Sequence, residues 1–439
     1  MLDKMAGLLL ETEGNIEKKN MLWNIAGSFC YAFASILLSF LVMRISGDSA
    51  GGIFAFGFST FGQQMFTVAY FGIRPFQITD GSGEYSFGDY LGHRILTSGM
   101  AVLISALYLT WMGVAGAYSP VKAAVVFLLA MYKIIDGFAD VYESEFQRQG
   151  CLYLTGKSNT FRTVLSVITF LCVLLFTRDM TSPESGLLAA CWGAVAAQIL
   201  GVALFNLSVI GKIKGIDWRK YQGKAKKIFS QTGLLFLSVF LDFYIFSAAK
   251  YAIDSNLNDA ASGYFNLIFM PTSVIYLVAN FVIRPFLTRL TELWTEGDLK
   301  GFRKLLVRIG TMIGGLTVMA AGATLVLGKW ALGVMEMFLG KGYEGALTPY
   351  HMAFTVIVLG GGFYAFGNLM YYALVIMRQQ KRIFLVYVLV AAGAVTGAPI
   401  LVRRFLIFGA AWAYTCFMLL LMIGFTANTI WIYCRRQRQ

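Results

Sequence analysis

The feature that most constrains this chain is a succession of predominantly apolar runs of about 18–25 residues, of which 21–43 and 305–327 are typical. As helices, runs of that length rise roughly 27–38 Å, enough to cross a hydrocarbon core ~30 Å thick. Inside hydrocarbon every backbone N–H and C=O must be bonded within the protein, which leaves only helices and closed barrels. A barrel strand would alternate apolar and polar residues over segments of about ten, and these runs do not alternate. The expected fold class is therefore an all-α polytopic membrane protein. Composition agrees: 58% of the 439 residues are hydrophobic and 13% charged, more apolar surface than a soluble core can hide.

The runs fall near 21–43, 53–73, 93–115, 121–140, 160–177, 187–210, 231–252, 263–283, 305–327, 350–375, 382–402 and 405–433, about twelve transmembrane helices. The fourth is the least apolar, because it contains Lys133 and Asp136. A net charge of +13 would suggest nucleic acid in a soluble protein. Here topology accounts for it, since Lys and Arg gather in cytoplasmic loops. Most basic residues then lie on the side of both termini, which places N- and C-termini in the cytoplasm. Arg44, Lys122, Arg178, Lys329, Lys341, Arg403 and Arg404 fall on the other side. Residues 1–20, with Glu11, Glu13 and Glu17, read as a cytoplasmic lead-in to an uncleaved first span. The six cysteines have no metal-site spacing, and no nucleotide-binding glycine loop is present. No metal or cofactor is expected.

The tetrapeptide Ile-Arg-Pro-Phe occurs at 73–76, after the second run, and again at 283–286, after the eighth, 210 residues later. The first and seventh runs begin at the same offset. This predicts two six-helix lobes, 21–210 and 231–433, joined by a basic cytoplasmic linker at 211–230 and followed by a tail at 434–439. Six spans per half preserve orientation, so the lobes would be related by a pseudo-two-fold along the membrane normal.

Polar residues keep helical register on four spans. Asn24, Ser28, Tyr31, Ser35 and Ser39 share a face of the first, and Ser59, Gln63, Tyr70 and Arg74 a face of the second. Gln231, Ser238 and Asp242 lie on the seventh, and Asn266, Ser273, Asn280 and Arg284 on the eighth. Such faces avoid lipid, so they either line a cleft or bond helix to helix. Intramembrane charges are costlier still. Lys133, Asp136 and Asp140 recur at i, i+3 and i+7, and Asp242, Lys250 and Asp254 share the seventh span. Each Lys either neutralises a neighbouring Asp or meets an anionic headgroup. The candidate substrate contacts are thus Arg74, Arg284, Lys133, Lys250, Asn24, Tyr31, Gln63, Tyr70 and Asn280, with Asp242 and Asp136 as candidate sites for a coupling H⁺ or Na⁺.

At these residues the chain resembles the multidrug/oligosaccharidyl-lipid/polysaccharide (MOP) exporter superfamily, and within it the Wzx-type polysaccharide repeat-unit flippases. The segments that carry the resemblance are 72–80, Glu145-Phe146-Gln147-Arg148-Gln149-Gly150, Tyr251-Ala252-Ile253-Asp254, and 261–265 leading to Met270-Pro271. The resemblance implies a two-lobe bacterial inner-membrane transporter and no enzyme. It would turn an undecaprenyl-pyrophosphate-linked oligosaccharide from the inner to the outer leaflet by alternating access. Membrane lipids, glycosyltransferases and a polysaccharide polymerase would be its partners, and nucleic acid would not. Pyrophosphate calls for Lys and Arg, and glycan for Asn, Gln, Ser and Tyr. Two alternatives stand beside it: a multidrug antiporter of the same fold, using Asp242 with Tyr31 or Tyr70, and an integral membrane polymerase or acyltransferase.

Overall fold

In a computed structural model, the structure describes residues 9–10, 15–80, 84–178, 182–213, 216 and 223–438, and every regular element among them is helical. The first half comprises α1 (Ile16–Phe56), a π-turn (Gly57–Phe61), α2 (Gly62–Tyr70), α3 (Arg74–Thr79), α4 (Phe87–Val114), α5 (Pro120–Arg148), α6 (Leu152–Phe176), α7 (Pro183–Val202), a second π-turn (Ala203–Leu207) and α8 (Ser208–Ile210). The second comprises α9 (Ala225–Asn256), α10 (Asp259–Phe269), α11 (Pro271–Ile283), α12 (Leu287–Glu296), α13 (Leu299–Leu339), α14 (His351–Ile376) and α15 (Gln380–Gln437).

Two of the longest helices, α1 and α15, turn back on themselves, whereas α13, as long as α1, carries no such break. In α1 the reversal is Gly47, at φ 88° and ψ 175°. A Cβ on Gly51 would sit 2.8 Å from Met43 Cβ, so the two arms lie in direct contact. In α15 the reversal is Leu406, at φ 53° and ψ −132°, and Gly409 lies against the Leu401 carbonyl. A positive φ is open to glycine and costly for leucine. The described residues thus make six crossings up to Ile210 and six from Ala225, the all-α polytopic architecture that the apolar runs imply. The eighth crossing is divided at Pro271 into α10 and α11, since an interior proline removes a helical hydrogen bond. Helix α5 is not among the eight that are long and apolar enough to span by composition.

The residues form two compact units, Met1–Phe240 and Leu241–Gln439. Within unit 1, α5 is the hub, packed against α2, α3, α4, α6 and α7. Ser119 caps its start, accepting from the Lys122 N–H at 3.1 Å, and Pro120 opens its first turn. Helix α1 lies along α6, where Gly27 meets Gly156 so closely that a Cβ on Gly156 would overlap the Trp23 carbonyl. Small residues permit such approach between membrane helices. The first part of α9 also belongs to this unit: Phe236 stacks on Phe71 at 4.0 Å, and Lys227 pairs with Glu84 at 2.7 Å.

Within unit 2 the hub is α14, packed against α10, α11, α13 and α15. Gly360, Gly361 and Gly362 follow one another on it and so face three directions about 100° apart. A Cβ there would meet Tyr414 and Thr415 of α15, Ile275 of α11, and Thr317 of α13 respectively. The repeated tetrapeptide does the same work in both units. It ends one crossing and opens a short helical segment with proline in the first turn, α3 at Arg74 and a 3₁₀ turn at Arg284–Phe286 leading into α12.

Candidate functional site

Unit 1 concentrates its chemistry on one stripe of α5. Lys133, Asp136, Asp140, Glu143 and Gln147 advance by 3, 4, 3 and 4 residues, a single face about 21 Å long. Asp136 is paired with Arg162 of α6 at 2.5 Å, and Arg162 also reaches Glu143 at 3.1 Å and donates to Asn159 Oδ1 at 3.1 Å. Asp140 takes Arg74 at 2.6 Å on one oxygen and Arg94 at 3.0 Å on the other, where Ser144 Oγ also donates. Arg94 additionally donates to the carbonyls of Ala69 and Tyr70, closing the end of α2, and Arg74 donates to Gln147 Oε1. Both Arg94 and Arg162 are almost wholly enclosed, at 0% and 2% exposure. A buried charge survives only when paired and hydrogen-bonded, and each of these is.

Formal charges therefore balance along the stripe, three carboxylates against three guanidiniums, except for Lys133. Its ammonium, 2% exposed, donates to Tyr31 Oη at 2.6 Å and lies 3.9 Å from the Phe58 ring centroid. No carboxylate is in ion-pair range of it among the described residues. The i, i+3 pairing of Lys133 with Asp136 that the sequence allows is not formed, because Arg162 brings a fork that can satisfy Asp136 and Glu143 together.

Unit 2 has a sparser arrangement. Lys250 donates to Asn266 Oδ1 at 3.1 Å and lies 4.4 Å from the Phe269 ring centroid, with no ion pair among the described residues. Two turns earlier, half-buried Asp242 accepts from Tyr364 Oη at 2.8 Å. Between them Phe246 lies 5.3 Å from Tyr364, 5.2 Å from Phe269 and 5.6 Å from Tyr414. A carboxylate and an ammonium thus share one aromatic wall about 12 Å long.

The other sequence candidates divide. Tyr70 stacks on Phe66 at 5.5 Å and lies beneath Arg94, while Gln63 is half-buried. Asn24 and Arg284 are exposed, and the repeat's two arginines differ: Arg74 is held by α5, whereas Arg284 has no ion pair among the described residues. The Asn280 and Ser273 side chains lie outside the described residues. Arg94, Arg162 and Glu143 are the participants that the sequence reading passes over. Glu143 carries a signal, since it continues the α5 register, but the two arginines come from helices that only the fold brings there. No group of metal-ligating side chains occurs among the described residues.

Solved structures with the same arrangement of helices settle the fold. An inward-facing multidrug-resistance MATE-family transporter of the MOP superfamily aligns over 94% of this chain and 95% of its own, with a TM-score of 0.68 at 12% identity. The chain has the fold of that transporter. A eukaryotic MATE transporter shares it over 98% of this chain and 94% of its own, TM-score 0.61 at 13% identity. A MOP-superfamily transporter from Pyrococcus furiosus shares it over 99% and 98%, TM-score 0.52 at 11% identity. No protein-family profile matches the sequence, and no curated protein does.

Proposed function

We propose that the chain is a non-enzymatic MOP-fold transporter working by alternating access on an anionic amphipathic substrate, a lipid-linked oligosaccharide turned from the inner to the outer leaflet. The observation that carries this reading is the cation in each unit. Lys133 and Lys250 sit within membrane crossings, each on an aromatic ring and without an ion pair among the described residues. An ammonium in that setting favours a phosphate-bearing head and opposes a cationic drug. Tyr31 and Asn266, which bond these lysines, are suited to sugar hydroxyls. Pyrococcus furiosus provides a precedent within the fold: its transporter is described as having a binding pocket of reverse polarity that suggests a different function. The distribution of basic residues supports cytoplasmic termini, and Asp242 is the candidate carrier of a coupling proton or Na⁺.

Asp242 also favours a second reading. A carboxylate among Tyr364, Phe246 and Tyr414 suits an organic cation, and MATE neighbours are described as multidrug transporters. Complementation of a bacterial strain lacking its own repeat-unit flippase separates the two. Lys133→Ala and Lys250→Ala are expected to abolish surface glycan at unchanged membrane protein level, with ethidium efflux absent in wild type. Wild-type glycan export from both variants, or Asp242-dependent ethidium efflux, would favour the multidrug reading.

A further inference from the structure

At the end of unit 2 that carries the C-terminus lies a polar cavity of about 370 Å³, remote in sequence from Asp242 and Lys250. Three segments build it: α12 supplies Trp294, the start of α15 supplies Arg382, and the end of α15 supplies Trp431, Arg435 and Arg436. The guanidiniums lie over the indoles. Arg382 is 4.1 Å and Arg435 5.5 Å from the Trp431 centroid, and Arg436 is 4.2 Å from that of Trp294.

Basic residues at one face of a membrane protein ordinarily need only the topology rule to explain them. That rule asks for charge near the surface and not for three cations in one cavity. Here like charges are gathered, and none of the three is in an ion pair among the described residues. Of their guanidinium N–H donors only one is engaged among the described residues, from Arg382 to Asn428 Oδ1 at 3.2 Å. The cation–π contacts hold the guanidinium groups over the indoles without using their N–H donors, which stay available for two-point recognition of phosphate oxygens. The turn entering α15 adds a second sign. Arg378 is held at φ 58°, a region ordinarily left to Gly or Asn, between Met377 and Gln379, which both line the cavity. Tryptophan is the residue that settles at headgroup level, which places the cavity within reach of lipid phosphates.

We propose that this arginine–tryptophan cavity binds a phosphate monoester, presented by an anionic lipid of the adjoining leaflet. The site is independent of the transported substrate and of the reading given above.

The test uses the detergent-solubilised full chain in native mass spectrometry at fixed ionic strength, with dihexanoyl phosphatidic acid, dihexanoyl phosphatidylcholine and inorganic phosphate as probes. One saturable equivalent of the phosphatidic acid is expected, with phosphatidylcholine at least tenfold weaker. Replacing Arg382→Gln, Arg435→Gln and Arg436→Gln together is expected to weaken phosphatidic acid at least tenfold, while Arg289→Gln, on α12 and paired with Glu292, leaves it within twofold. A triple Arg→Lys variant, with charge kept but the fork lost, is expected to melt as wild type and bind several-fold more weakly. Displacement by equimolar inorganic phosphate would overturn the lipid as source, and its failure at hundredfold excess would support it. Unchanged phosphatidic acid binding in the triple Gln variant, or equal binding of phosphatidylcholine, would overturn the site.

Discussion

The hub helices of the two units solve one packing problem with opposite chemistry. In unit 1, α5 is tied to its neighbours by charge: Asp136, Asp140 and Glu143 hold Arg162, Arg94 and Arg74 from three other segments. In unit 2, α14 has no Asp, Glu, Lys or Arg between His351 and Ile376, and it is gripped by shape, through three successive glycines. Charge pairing is directional and unforgiving, because removing one partner strands the other in low dielectric. Glycine packing depends on volume and tolerates polar change nearby. The polar ties of unit 2 are accordingly sparse: Asp242 meets α14 through Tyr364, and Lys250 meets α10 through Asn266.

That contrast is broken most directly at Arg162. Arg162→Ala leaves Asp136 and Glu143 without their guanidinium and should cost about 3–5 kcal/mol, read as a large fall in the temperature at which the detergent-solubilised protein loses its monodisperse peak. A melting temperature equal to wild type would show that the α5 network does not hold unit 1. Gly362→Val drives side-chain volume into Thr317 and should cost about 1–3 kcal/mol by the same assay. Asp242→Asn, by contrast, is expected to leave thermal stability within about 0.5 kcal/mol while removing any response of transport to a pH or Na⁺ gradient. A stability loss as large as that of Arg162→Ala would make Asp242 structural. Leu406→Gly relieves a leucine at positive φ and should raise stability by about 1 kcal/mol.

The smallest effect is expected at the exposed Glu84–Lys227 pair. Lys227 holds the Glu84 carboxyl below its usual range, chiefly by hydrogen bonding. A depressed carboxylate contributes stability above its unfolded pKa and loses it as pH falls through the folded value. Glu84→Gln should therefore lower the melting temperature slightly at neutral pH and not at all once acid has protonated the wild-type carboxyl.

Most of the architecture could be read before any coordinates, because hydrocarbon permits little else: the runs, their lengths and the Ile-Arg-Pro-Phe repeat are local signals. The reversals at Gly47 and Leu406 were less visible, since the 44–52 segment is helical except at one residue. Among site residues, the α5 stripe was legible through its period, and Lys133 stood out on it. Its neutral partner and the destination of Asp136 were not, because Tyr31 and Arg162 lie 102 and 26 residues away. The same charges that make α5 the hub are what make it the least apolar of the spans read from the sequence.

The one-residue reversals have a practical side. Where α1 and α15 double back the chain is helical on both sides of a single residue, so although 403–406 are exposed there is little extended backbone for a protease to engage or for an epitope tag to replace. Accessibility mapping of this protein will therefore need single reactive side chains, such as a cysteine placed at Asp48 or Arg404, and insertions at either reversal will report on damage to the hairpin before they report on topology.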